Sequence, residues 1–263
     1  YGRSIKPGSL LQLSRFTRGW NDPMARFLLP LATQDYWFKF YDFDEDTINA
    51  DWTVANGAGG GSPTSPTAST SLEYGQLTST TGTANDATAS TSINYDGVFF
   101  DAARNPGCLI RVKFDAITAM YAELAWCDAP TQPYVLNFSD IDTPTQASNG
   151  LTDIAAVVLD TSQTQQSARL ITKGTTDAVA AVDLGAATPG ATPFAAGVFS
   201  TILLQCGANK AYANIDGKVT YENSIATGMD TGIPLRPQFM VQARSATAVV
   251  VTIDYIALWC NRE

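Results

Sequence analysis

From Asp51 onward, the sequence repeats short runs of apolar and β-branched residues separated by glycine, proline, serine and asparagine. Several runs alternate apolar and polar side chains, as a strand with one buried face does, and helical periodicity is almost absent. The strongest local signal is Asp216-Gly217, because this dipeptide supplies the positive φ angles of a type I′ hairpin turn. Roughly a dozen strands of this kind predict an all-β fold with two packed antiparallel sheets.

Two runs predict which side chains face the core. The run at residues 108 to 117 alternates between a dry face and a wet face, formed by Ile110, Val112 and Phe114 and by Leu109, Arg111, Lys113 and Asp115. The run PQFMVQARS points Phe239, Val241 and Ala243 inward and its polar residues outward.

The chain divides into a basic segment and an acidic body. Residues 1–39 hold six of the sixteen Lys and Arg and two acids, whereas the rest holds ten basic and twenty-three acidic residues. Prolines interrupt the basic segment, which excludes a long helix, and its apolar content is too high for a solvated tail. We predict an extended N-terminal arm at 1–39 and one β-sandwich domain at 40–263, with a flexible loop at about 56–70.

The arm is predicted to bind another surface, because its large apolar side chains and arginines gain little in water. The candidate partner-binding residues are Leu10, Leu11, Leu13, Arg15, Phe16, Arg18, Trp20, Arg26 and Phe27. The partner is predicted to be another subunit of an assembly, and packing onto the outer face of the same molecule's sheet is the alternative.

Charge and cysteine content argue against several partners. A net charge of -9 predicts no attraction of the body to nucleic acid, and no apolar stretch is long enough to predict a membrane span. The four cysteines are widely spaced and the chain has no histidine, so we predict buried, reduced thiols and neither a metal nor a cofactor. Reduced thiols in turn favour intracellular assembly.

The order of the segments resembles the concanavalin A-like, or laminin G-like, jelly-roll domains, in particular those in structural proteins of tailed bacteriophages. The likeness rests on FYDFDEDTINADWTV at 40–54, RVKF at 111–114, ELAWCDA at 123–129, NIDGKVTYE at 214–222 and the closing VTIDYIALWCNRE. The resemblance implies a two-sheet antiparallel jelly-roll sandwich that decorates a capsid or forms part of a tail or fibre.

Catalytic patterns are absent from the sequence. Glycoside hydrolases on this fold place two carboxylates on one strand, with the spacing E-x-D-x-E or E-x-D-x-x-E. No such series begins at any glutamate of this chain, namely Glu45, Glu73, Glu123, Glu222 and Glu263. There is also no histidine to activate a serine or cysteine nucleophile. The sequence therefore predicts no catalytic residues and no enzymatic activity.

Two groups of residues have a ligand-binding alternative. Asp42, Asp44 and Asp46 alternate on one face, which favours a solvated turn over a Ca²⁺ site. Aromatic rings offer a sugar platform, and Tyr95 and Tyr134 are predicted to be the more exposed candidates. The other rings are predicted to lie in the core or within strands: Trp52, Trp126, Trp259, Tyr221 and Tyr255.

These observations together predict a non-enzymatic virion structural protein of a tailed phage, assembled in the host cytoplasm. It would decorate or cement the capsid through its arm, bind the major capsid protein or other virion subunits, and form a homo-oligomer. A carbohydrate-binding adhesin domain of a tail or fibre, which recognises a surface glycan, is the first alternative. A glycan-degrading enzyme is the second.

Overall fold

The computed structural model describes residues 36–43, 48–57, 63–69, 75–83, 89–97, 100–128, 138–146, 150–162, 168–184, 193–226 and 228–261. The first nine strands in these ranges are β1 (Tyr36–Tyr41), β2 (Trp52–Asn56), β3 (Thr67–Ser69), β4 (Gln76–Thr80), β5 (Ser90–Tyr95), β6 (Gly107–Phe114), β7 (Met120–Asp128), β8 (Phe138–Asp140) and β9 (Thr145–Gln146). Eight more follow: β10 (Ile154–Asp160), β11 (Ala168–Lys173), β12 (Ala180–Asp183), β13 (Phe199–Cys206), β14 (Lys210–Ile215), β15 (Thr220–Ser224), β16 (Leu235–Ala243) and β17 (Val250–Asn261). The helical residues in these ranges are the 3-10 turn at Ala102–Arg104 and Ala89, which is also in a 3-10 conformation.

The strands form two antiparallel sheets. An eight-stranded sheet has the order β15-β14-β13-β6-β17-β4-β3, with β1 also paired to β17. A seven-stranded sheet has the order β12-β11-β10-β7-β16-β5-β2, and β8 and β9 form a separate pair. Neighbours that are distant in sequence, such as β7 and β16, lie side by side, as in a sandwich whose chain passes repeatedly between sheets. The predicted all-β, two-sheet antiparallel architecture is confirmed.

The main core fills the space between the two sheets. Ile110, Val112 and Phe114 of β6 are buried there, as the alternation predicts, and so are Phe239 and Val241 of β16. Because side chains alternate across a strand, the intervening residues of both strands lie on the outer faces of the sheets.

The hairpin between β14 and β15 confirms the predicted type I′ turn. Asp216 and Gly217 have φ angles of 53° and 67°, and the Lys218 amide donates to the Ile215 carbonyl at 3.2 Å. The turn also joins the rest of the sheet, since the Asp216 carboxylate accepts from the Thr201 amide at 2.8 Å. A dipeptide that adopts two positive φ angles in succession therefore sets the register of this hairpin.

The predicted arm falls mostly outside the described residues, and so does part of the predicted loop, at 58–62 and 70. Tyr36–Lys39 belong to β1, which pairs with the end of β17, so the sandwich already includes residues assigned to the arm. Residues 1–35, with all nine candidate partner-binding residues, lie outside the described ranges, and their role stays a prediction. Within the predicted loop, Thr67–Ser69 form the short strand β3.

All four cysteines are free and buried, which confirms the prediction of reduced thiols. Burial raises the pKa of the Cys108 thiol far above its ordinary value, because a thiolate would lose its hydration there. The Cys108 thiol is therefore a poor nucleophile in the folded state. Among the residues described, no helix has the length and apolar character needed to span a membrane.

Asp51 anchors β1 to the seven-stranded sheet. Its carboxylate accepts from Lys39 Nζ at 2.5 Å and from Tyr41 Oη at 2.7 Å. The hydrogen bond from Lys39 lowers the pKa of Asp51 below its ordinary value of 3.8, and the hydrogen bond from Tyr41 acts in the same direction.

Asp51→Asn should lower the free energy of unfolding at pH 7 by about 1 kcal/mol, because it removes the charge from two partly exposed hydrogen bonds. Because the pKa of Asp51 is lower in the folded protein, the ionised carboxylate stabilises the fold at pH values above its ordinary pKa of 3.8. This stabilisation is lost as the pH falls through the folded-state pKa of Asp51. Urea unfolding of both proteins at pH 7 and near pH 3 should therefore show a difference that shrinks in acid. A pH-independent difference would contradict this account, and Glu222→Gln, in the exposed pair with Lys210, is the control.

Candidate functional site

The outer face of the seven-stranded sheet carries polar side chains in register across four neighbouring strands. Asp160 of β10, Tyr121 of β7, Gln242 of β16 and Ser90 of β5 are successive partners in one row. The next rows are Val158, Glu123, Met240 and Ser92, and then Ala156, Ala125, Gln238 and Asn94. We call the polar members of these rows, together with Arg244, the polar face: Ser90, Ser92, Asn94, Tyr121, Glu123, Asp160, Gln238, Gln242 and Arg244.

Four members of the polar face form a charged, hydrogen-bonded cluster. The Tyr121 hydroxyl donates to Glu123 Oε2, and Arg244 Nη2 donates to Asp160 Oδ2 at 2.9 Å. The guanidinium of Arg244 also lies over the Tyr121 ring, 4.9 Å from its centroid. Burial raises the pKa of Tyr121 well above its ordinary value, and the charge of Glu123 raises it further. Tyr121 therefore stays protonated and keeps its hydrogen bond to Glu123.

The two carboxylates of this cluster come from different strands. Asp160 lies directly opposite Tyr121, and Glu123 is two residues further along β7, so Glu123 and Asp160 are diagonal neighbours. The register therefore places two acidic side chains on the same face of neighbouring strands, a juxtaposition that a search along single strands misses.

Several side-chain nitrogen and oxygen atoms of the polar face have no hydrogen-bond partner in the described part of the chain. These unpaired atoms are Asn94 Oδ1, Gln238 Nε2, both polar atoms of the Gln242 side chain, and Arg244 Nε. All of them are buried, and Gln242 has no exposed surface at all. Buried polar atoms are normally paired, so a concentration of unpaired ones marks a place where further hydrogen bonds are expected.

The neighbouring part of the same outer face is apolar and covered. Ile154, Ala156 and Val158 of β10 pack against Phe138 and Ile141, at the β8–β9 hairpin. Arg169 of β11 holds this hairpin by donating to the Asp142 carbonyl at 3.0 Å and to the Ile141 carbonyl. The hairpin therefore bounds the polar face on the β10 side.

A second acidic cluster, around Asp128 and Asp153, joins β7 and β10 to nearby loops. Asp128 accepts from the backbone amides of Thr152 and Asp153, both at 3.0 Å. Asp153 accepts from the Thr175 hydroxyl at 2.8 Å and from the Asp230 amide at 3.1 Å. These hydrogen bonds tie the end of β7 and the start of β10 to the loops around them. In the ranges that the structure covers, no group of three metal-ligating side chains is found, and Asp44 and Asp46 lie outside them.

The structure corrects two exposure predictions. Tyr95 was predicted to be an exposed platform, but it is buried with its ring centroid 5.1 Å from that of Trp52. Leu109 was predicted to lie on a wet face, but it has no exposed surface. Alternation predicts which face of a sheet a side chain occupies, and it does not show whether a further layer covers that face. Tyr134 lies outside the described residues.

By sequence, the chain matches no protein-family model and no curated protein. Solved structures with a similar fold include several glucanases. SCLam, a non-specific endo-β-1,3(4)-glucanase from family GH16, has a TM-score of 0.57 at 12% identity, covering 87% of this chain and 92% of its own. The catalytic domain of a laminarinase from Thermotoga petrophila has a TM-score of 0.53 at 13% identity, covering 88% and 100%. The Bacillus licheniformis β-glucanase has a TM-score of 0.52 at 12% identity, with the same coverage.

These comparisons contradict the prediction of a non-enzymatic virion structural protein that decorates or cements a capsid. The prediction of no enzymatic activity is contradicted too, since the structures that share the fold are enzymes that act on glycans. The sequence argument considered only carboxylates on a single strand, whereas Glu123 and Asp160 share one face on the neighbouring strands β7 and β10. At these identities the comparisons show the fold, and the protein is a concanavalin A-like jelly-roll sandwich.

Proposed function

We propose that this protein is a glycan-active enzyme that cleaves glycosidic bonds at the polar face. The observation that carries the proposal is the diagonal pair of carboxylates, Glu123 and Asp160, with a hydrogen-bond donor beside each. Hydrolysis of a glycoside requires two such groups within reach of one bond. The similarity of the fold to glucanases supports the same class of reaction.

In this proposal, one carboxyl group donates a proton to the glycosidic oxygen as the bond from that oxygen to the anomeric carbon breaks. The other carboxylate either activates a water molecule or attacks the anomeric carbon, and water then releases the sugar. Tyr121 positions Glu123, and the Arg244 cation offsets the charge of Asp160. Holding both groups in fixed orientations reduces the entropy cost of reaching the transition state.

The unpaired amides favour a neutral, hydroxyl-rich substrate. Gln238, Gln242 and Asn94 provide both donors and acceptors without charge, which suits the hydroxyl groups of a neutral sugar. Asn94 and Gln238 lie in the row beyond Glu123, so they are placed to bind the sugar units next to the cleaved bond. Because the proposed catalytic pair, Glu123 and Asp160, is as inaccessible as Gln238 and Gln242, the proposal requires the face to open before a glycan can bind, and we expect association to be slower than a simple encounter.

The direct test is to incubate the purified full-length chain with a panel of soluble neutral polysaccharides, including β-1,3- and mixed-linkage β-1,3-1,4-glucans. We expect new reducing ends to accumulate with at least one of them, and oligosaccharide products to appear by mass spectrometry. Binding without new reducing ends would contradict an enzymatic function and leave a glycan-binding protein. Neither binding nor cleavage across neutral and acidic glycans would overturn the proposal.

The tailed-phage origin, the virion location and the homo-oligomer remain predictions. A tailed-phage origin and a virion location rest on the sequence resemblance, and the homo-oligomer and the contact with virion subunits rest on the arm. A glycan-active enzyme carried on a virion would act on a host surface glycan. Mass spectrometry of purified particles tests the location, and light scattering of the purified chain tests the oligomer.

A further inference from the structure

The outer face of the eight-stranded sheet carries a group of charged, amide and aromatic side chains, on the side of the sandwich opposite the polar face. The inward residues of β6 belong to the core between the sheets, so Arg111 and Lys113 point outward. Phe199 of β13 pairs directly with Lys113 in the sheet. We call this group, with two further members from β4 and β17, the Phe199 patch: Gln76, Arg111, Lys113, Phe199 and Asp254.

A β-bulge in β17 adds a carboxylate to this face. The register of β17 against β6 shifts between Ile253 and Tyr255, so Asp254 is the extra residue of the bulge. Bulges change the direction of side chains on the bulged strand. Asp254 accepts from Arg111 and from Gln76 Nε2, the latter at 3.3 Å. The bulge therefore connects β17, through one carboxylate, to the strands on both of its sides.

The ring of Phe199 holds both cations of the patch. The guanidinium carbon of Arg111 lies 4.5 Å from the ring centroid, and Lys113 Nζ lies 4.9 Å from it. The negative face of an aromatic ring attracts cations, so these contacts restrict two long side chains that would otherwise be mobile. Side chains that are already ordered lose less entropy when a ligand binds. The patch is thus prepared for binding.

The Phe199 patch is open to solvent. The side chains of Arg111 and Asp254 are 35% and 15% exposed. Lys113 and Phe199 are partly exposed as well, and Val198, next to Phe199, is 55% exposed. A ligand can therefore reach this patch without a change in the fold, whereas the carboxylates of the polar face are almost inaccessible.

The charges around the patch cancel. The cations of Arg111 and Lys113 are balanced by Asp254 and by Asp115, which lies just beyond the end of β6 and accepts from the Val250 amide at 2.7 Å. The whole chain has a net charge of -9, which repels polyanions. These charges favour an uncharged ligand over an acidic one.

The side chains of the patch suit a sugar. Phe199 and Val198 offer apolar surface to the C–H groups of a pyranose ring, as aromatic residues do in ligand sites. Arg111 and Lys113 have more N–H donors than their contacts with Asp254 and Phe199 use, and Asp254 adds acceptor capacity. Hydroxyl groups both donate and accept, and hydrogen bonds to charged groups are stronger than those between neutral groups.

We propose that the Phe199 patch is a second glycan-binding site, which holds a neutral polysaccharide on the face opposite the polar face. Sugar C–H groups pack against Phe199 and Val198, and sugar hydroxyls bind Lys113, Arg111 and Asp254. The class of ligand rests on the proposed glycan activity, whereas the location rests on the patch alone. A polymer held here stays close to the polar face, which raises its effective concentration there.

Affinity electrophoresis in gels that contain soluble mixed-linkage β-1,3-1,4-glucan tests this proposal. The full-length chain carries Glu123→Gln, so that the gel polymer is not cleaved. We expect Lys113→Ala and Phe199→Ala each to raise the Kd for the glucan by roughly five- to tenfold, because both side chains lie at the centre of the site. Lys218→Ala is the matched control, since it removes the same charge from a side chain that is 70% exposed at the β14–β15 turn.

Three results would overturn the proposal: no retardation by the glucan, equal retardation of the patch variants and the control, or stronger retardation by polygalacturonate than by the glucan. Circular dichroism checks that each variant is folded, and Lys113→Ala keeps the test valid if Phe199→Ala unfolds. In the wild-type background, the patch variants should raise KM for the polysaccharide and leave KM for a short oligosaccharide unchanged, because a short chain cannot occupy both faces.

This test separates the second site from the proposed catalysis. Cleavage by the wild-type protein, combined with normal binding by the patch variants, would contradict the second site alone. Binding that depends on the patch, without any new reducing ends, would contradict the enzymatic function alone.

Discussion

Glu123→Gln should reduce the rate of glycan hydrolysis by roughly 10²–10⁴-fold, the range expected on loss of a catalytic acid or base. Glutamine has nearly the same shape, and its amide oxygen still accepts from the Tyr121 hydroxyl, so the change removes the carboxyl group and little else. The measurement is the release of reducing ends from the best substrate of the panel. We expect kcat to fall with KM nearly unchanged, because the carboxyl group acts in the transition state and not in binding.

Glu222→Gln is the matched control for this prediction. Glu222 lies on β15, at the edge of the other sheet, and pairs with Lys210 in an exposed ion pair. It should retain the wild-type rate. If Glu123→Gln also retained it, while the wild-type protein cleaved glycans, the reaction would take place elsewhere and the assignment of the polar face would be wrong.

Trp126→Ala should lower the free energy of unfolding by about 3–5 kcal/mol, the usual cost of deleting a large aromatic side chain from a core. Trp126 is fully buried at the centre of the seven-stranded sheet, and its ring centroid lies 4.9 Å from that of Phe100. Its indole N–H donates across the sandwich to the Leu204 carbonyl at 3.4 Å. Alanine would leave a cavity between the sheets and remove this hydrogen bond.

Urea unfolding monitored by far-ultraviolet circular dichroism measures this loss. Val198→Ala is a suitable control, because more than half of Val198 is exposed and its truncation should change the stability by less than about 0.5 kcal/mol. A loss below about 1 kcal/mol for Trp126→Ala would mean that the two sheets are not held together through this residue.

Local sequence patterns were sufficient to predict the strands and the hairpin at Asp216-Gly217. Strand alternation depends only on neighbouring residues, and the turn depends on the φ preferences of two residues, so both can be predicted without knowing the fold. The same reasoning was wrong for Leu109, since its burial depends on what lies above the sheet. It was also wrong for Tyr95, whose neighbours Trp52 and Phe100 lie on other segments.

The candidate site could not be predicted from the sequence, because it is formed by pairing between strands that are far apart in the chain. Glu123 and Asp160 are 37 positions apart in sequence, and Gln242 is more than 80 positions beyond Asp160. Their positions on one face follow from the registers of β10 with β7 and of β7 with β16. A shift of one residue in either register would turn one set of side chains to the other face, and no short motif predicts such a register.

The sequence by itself determined the all-β class, the strand alternation and the type I′ turn, because each depends on local backbone preference or on the pattern of neighbouring residues. Only the tertiary structure decided which carboxylates meet, which aromatic rings are hidden and which outer faces are covered. These properties arise from contacts between strands far apart in the chain, whose registers are set by the packing of the two sheets as a whole.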